Sequence, residues 1–137
     1  MIYHSRYTSN IGWRGEFDFQ VTVCGNRRQF LEYIRAKDIN GKQLSGRKAA
    51  AKMWAYDDET IEKFDEVFAE LCFYVDHMNI DSVAHEVTHL LIANARRANV
   101  DLYLEMHEEM LAFGVGNLTD IIWRDWIARE NNDGIRR

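Results

Sequence analysis

Between residues 16 and 37 the hydrophobic period changes from two to about 3.6, and a chain that does this must pack helix against sheet. Residues 16–24 read Glu-Phe-Asp-Phe-Gln-Val-Thr-Val-Cys. Phe17, Phe19, Val21 and Val23 share one side of that run, which marks a half-buried strand. Gly25-Asn26 ends it, and residues 27–37 then place Phe30, Leu31 and Ile34 at helical spacing, so a short amphipathic helix follows. With 137 residues, no proline and no Gly/Ser-rich linker or internal repeat, the chain is expected to form one α+β domain over residues 1–137.

The remaining elements follow from similar signals. Residues 38–47, with two glycines, read as a loop. Residues 49–56 suit a helix by their alanines and a strand by Met53-Trp54-Ala55-Tyr56. Asp57-Asp58-Glu59-Thr60 supplies helix-start residues, with Ile61, Phe64 and Phe68 at helical intervals behind it. Residues 69–75 form a short apolar strand able to pair with 16–24, and a turn follows through 76–78. Asn79 or Asp81 caps a helix running to about Arg97, whose Arg96 and Arg97 complement its negative end. A second helix is expected over 103–118, with Thr119 or Asp120 capping a third that carries Ile121, Ile122, Trp123 and Trp126 on a buried side. The polar residues 131–137 read as a frayed tail.

Composition removes several function classes. Seventeen basic against twenty-two acidic residues give a net charge of −5 and no long block of like charge, which argues against a general nucleic-acid binder. The longest stretch without Asp, Glu, Lys or Arg is ten residues, 110–119, against the roughly 20 that span a bilayer, so no membrane segment is expected. No apolar signal core opens the chain, and Cys24 and Cys72 lie in apolar strand-like runs. A cytoplasmic protein with two buried thiols is the expectation. A chain of this size builds its core without staples, so a metal ion would serve chemistry.

The stretch His85-Glu86-Val87-Thr88-His89 carries that chemistry. Two imidazoles one helical turn apart share a face, where each can direct a nitrogen to one Zn²⁺ at roughly 2.0–2.1 Å. Glu86 sits about 100° round the helix from His85 and about 60° from His89, close enough to take a proton from water without binding the ion. Five His and eleven Glu in this chain produce one such pentapeptide by chance in roughly 1% of shuffled sequences. A carboxylate from the next helix would supply a third ligand and leave one position open. Glu105, Glu108 and Glu109 are the candidates, whereas His107 points about 160° away from Glu109.

On these residues the chain resembles the gluzincins, thermolysin-like HExxH zinc metallopeptidases, in a minimal form of the kind encoded in phages and prophages. Glu109 falls twenty residues beyond His89, with Ala112 three further on, matching the clan's third-ligand spacing. The resemblance covers roughly a third of the chain: 69–75, the motif helix and 108–116. It implies a small zincin-like domain, with an antiparallel or mixed sheet packed on the HExxH helix and a following ligand-bearing helix. It further implies Zn²⁺ held by His85, His89 and Glu109, Glu86 as general base and acid, Ala112 as the point of close helix approach, and a peptide or protein substrate. Two features depart from the pattern. Phe113 stands where an acidic residue often orients a zinc histidine, leaving Glu108 to be tried in that role, and no helical lobe or distant oxyanion-stabilising His or Tyr motif is evident. Tyr74 and His77 precede the motif helix and are candidate substrate contacts, although a strand tyrosine and a loop histidine are more often structural. The rival reading is a non-catalytic, zinc-stabilised interaction module of a phage or prophage; a metal-free helical adaptor is a third.

Overall fold

The half-buried strand and the helix behind it form where the periodicity puts them. In a computed structural model that describes residues 1–37, 51–56, 61–62 and 67–134, β1 spans Ile2–Ser9, β2 Phe17–Cys24, α1 Arg27–Lys37, β3 Ala51–Ala55 and β4 Ala69–Tyr74. A 3-10 turn over Val75–His77 leads into α2, Ile80–Arg97, and α3, Glu105–Asp133, follows. The loop expected at 38–47 and most of the helix expected at 57–67 fall outside the described residues. No helix among the described residues is long and apolar enough to cross a membrane.

The four strands lie in the order β1-β2-β4-β3. β1 runs antiparallel to β2, β2 parallel to β4, and β3 antiparallel to β4, so the sheet is mixed and β3 is an edge. All six residues of β4 are buried, as a central strand covered on both faces requires. On one face Phe19, Val21, Val23, Leu71 and Phe73 pack against Val83, Val87, Leu90 and Leu91 of α2 and Leu118, Ile122 and Trp126 of α3. On the other, Cys24, Cys72 and Tyr74 pack beneath Phe30 and Ile34 of α1. Both cysteines are free and fully buried.

Beside them Glu70 is 1% exposed and anchors the second face. Its carboxylate accepts hydrogen bonds from Thr22 Oγ1 at 2.5 Å, Gln20 Nε2 at 2.9 Å and Tyr33 Oη at 2.5 Å, joining β2, β4 and α1. A buried carboxylate persists only with such donors.

β1, α3 and the point where α2 and α3 meet differ from the sequence expectation, and the segment left open at 49–56 resolves. β1 was not foreseen: its alternation is one of aromatic and polar residues, with Tyr3 against Trp126 and Tyr7 stacked on Phe19. The ambiguous segment 49–56 contributes the edge strand β3. The helices expected at 103–118 and from Thr119 onward are one 29-residue helix, because Thr119 is 6% exposed inside it and faces the core instead of capping. That helix continues through Asp133 to a left-handed Gly134 cap, so the expected frayed tail is ordered over its first residues. The close approach of α2 and α3 occurs at Gly114, where an added Cβ would lie 2.8 Å from Leu91 Cδ1; Ala112 is exposed.

Candidate metal centre

α2 is a helix for local reasons. Asn79 Oδ1 accepts from the Ser82 amide at 2.9 Å, Asp81 stands in the first turn, and Arg96 and Arg97 close the last. Its buried stripe of Val83, Val87, Leu90 and Leu91 faces the sheet and α3, which turns His85 and His89 to solvent. Their Nε2 atoms stand 3.2 Å apart, with ring centroids at 4.8 Å. Two nitrogens bound at about 2.05 Å to a tetrahedral ion are separated by about 3.3 Å, so the pair has the bite that Zn²⁺ takes.

Glu86 lies between them in sequence and away from them in burial, at 6% exposed. Burial raises its pKa, while the neighbouring positive charges of His85 and Lys52 act in the opposite direction. Lys52 belongs to β3, so the edge strand brings a cation to the motif. His89 is held below the ordinary imidazole value, first by burial and then by the charges of His85, Lys52 and Arg96. A neutral imidazole is the form that ligates a metal.

The third ligand is not gathered with this pair. Among the described residues no group of three or more His, Cys, Asp or Glu side chains is close enough to hold a metal ion. Glu105, Glu108 and Glu109 are exposed at the start of α3. Glu109 lies about 180° round the helix from the buried Leu118, so it leaves α3 on the side opposite the core. The donors of His85 and His89 therefore fit Zn²⁺ in chemistry and spacing, and the acidic donor does not accompany them in this arrangement.

The remaining candidates have other surroundings. Tyr74 is buried beneath α1, with its ring edge-on to His77 at 4.8 Å, on the sheet face opposite α2. His77 itself is exposed. His107 turns inward, away from Glu109, and its Nδ1 accepts from Trp13 Nε1 at 3.0 Å. Lys52 and Asn94 carry no motif and enter the picture only through long-range packing, Asn94 Oδ1 accepting from the Trp13 amide at 3.1 Å. No family model matches the chain, and no curated protein or solved structure is significantly similar to it.

Proposed function

We propose that this protein is a zinc-dependent metallopeptidase of a minimal, zincin-like kind. The observation that carries the reading is the pair of exposed imidazoles, His85 and His89, with Nε2 atoms 3.2 Å apart on one turn of α2. When bound, a zinc ion supplies Lewis acidity towards a water molecule and a substrate carbonyl. His85 and His89 would hold it, and Glu109, proposed as third ligand only on its spacing twenty residues beyond His89, would have to be brought to them from the outer side of α3. Glu86, whose burial raises its pKa and so makes its carboxylate the stronger base, would accept a proton from that water and return it to the leaving amine. The edge strand β3, beside α2, offers main-chain groups to an extended peptide.

One observation favours a second reading. With no third His, Cys, Asp or Glu beside the pair among the described residues, the arrangement favours a protein without turnover, the interaction-module reading, whose zinc would need ligands beyond His85 and His89.

Cleavage of a quenched fluorescent peptide mixture by zinc-loaded wild type, beside Glu86→Gln, separates the two. The peptidase reading expects both proteins to hold zinc and only wild type to cleave. Equal cleavage by both, or by neither while both hold zinc, overturns it.

A further inference from the structure

A tetrahedral Zn²⁺ takes four donors. The turn of α2 that carries His85 and His89 offers two, both exposed, with Nε2 atoms 3.2 Å apart and rings inclined at 70°. Among the described residues no third His, Cys, Asp or Glu is grouped with them. An ion on this pair therefore has two positions directed away from the chain, and a second pair of the same kind fills both at once. Imidazole suits zinc, and a two-fold axis through the ion brings an identical pair from another copy, so that each chain gives and receives the same contact.

The surface around the pair fits such an approach. By the 3.6-residue turn, Asp81, His85, His89 and Arg96 fall within an arc of about 80° on the side of α2 opposite its buried stripe. All four are exposed, with Asp81 in the first turn of the helix and Arg96 in the last. About an axis midway between His85 and His89, two α2 helices run antiparallel, and the Asp81 end of each meets the Arg96 end of the other. A parallel pair would set Asp81 against Asp81 and Arg96 against Arg96. The helix dipoles favour the antiparallel arrangement for the same reason.

We propose that two copies of this chain share one Zn²⁺ when zinc is scarcer than protein, through His85 and His89 of each copy, with the two α2 helices antiparallel. The inference rests on the reading of this pair as zinc ligands and adds a regulation to it. Four imidazoles leave the shared ion no position for water, so the hydrolysis proposed above is off in the dimer. When zinc reaches one ion per chain, each pair takes an ion of its own and the copies part.

Sedimentation velocity of the metal-free full chain, with Zn²⁺ added in steps, tests this. The mass is expected to rise to that of two chains at half an equivalent of Zn²⁺ and to fall back towards that of one chain beyond one equivalent. Mg²⁺, which takes oxygen donors, should leave it at one chain throughout. His85→Ala and His89→Ala, at exposed positions, should stay monomeric at half an equivalent. Asp81→Lys keeps both imidazoles and should weaken dimerisation roughly tenfold, since two like-charge contacts replace two ion pairs. Zinc held by single chains at half an equivalent overturns the sharing and leaves the pair as a zinc site, whereas no zinc binding at any ratio overturns both. Dimerisation undiminished in His89→Ala or Asp81→Lys, or a dimer that persists in excess zinc, also overturns the proposal.

Discussion

His85 turns to solvent and Glu86, one residue on, is 6% exposed, so adjacent side chains of one motif experience opposite environments. Burial raises the Glu86 pKa above the ordinary 4.5. A folded-state pKa raised in this way contributes stability that is fully present below the unfolded value and lost as pH rises through the folded one. In the metal-free protein, therefore, Glu86→Gln should gain thermal stability over wild type as pH increases from about 4.5 towards 8, and the two should converge at acid pH. Melting curves in chelator at several pH values check this. A gap that does not grow with pH contradicts it.

Two glycines of α3 should respond in opposite senses. Gly114 is buried and a Cβ there meets Leu91 at 2.8 Å and Ile11 at 3.1 Å, whereas Gly116 has nothing within 4 Å. Gly114→Val should cost about 2–3 kcal/mol by overpacking the α2–α3 contact. Gly116→Ala should add about 0.5–1 kcal/mol through helix propensity. Urea denaturation midpoints at constant slope read both.

The Glu70 carboxylate tests the second sheet face. Tyr33→Phe removes one of its donors and is expected to cost about 1–2 kcal/mol. Tyr103→Phe, at a residue 96% exposed, is the matched control and should change stability by less than about 0.5 kcal/mol. Chemical denaturation of both variants compares them, and equal effects would show that the Tyr33 bond adds nothing.

Legibility in the sequence followed the physics of burial. β2 and β4 were readable because a strand on the core repeats its apolar residues every second position or continuously, and α2 because Asn79, its buried stripe and Arg96-Arg97 mark both ends. β1 was not, since Tyr3 and Tyr7 alternate with His4, Arg6 and Thr8 and their partners, Trp126 and Phe19, lie far along the chain. Thr119 looked like a cap because hydroxyl residues favour helix starts, and its burial beside Leu118 and Ile122 comes from tertiary packing.

At the candidate site, the neighbourhood of His85 and His89 was fully local and so was legible. The separation of twenty residues between His89 and Glu109 gives distance along the chain and says nothing of helical phase, which Gly114, Leu118, Ile122 and Trp126 set by packing inward. Asn94 had no sequence signal at all, because its role depends on Trp13, eighty-one residues earlier.

The measurement that bears most directly on the account is zinc stoichiometry, by elemental analysis of purified wild type beside His85→Ala, His89→Ala, Glu105→Ala, Glu108→Ala and Glu109→Ala. The account predicts one zinc per chain in wild type, Glu105→Ala and Glu108→Ala, and loss of zinc from the two histidine variants and Glu109→Ala. Wild type without stoichiometric zinc, or a His85→Ala protein that retains it in full, would contradict it.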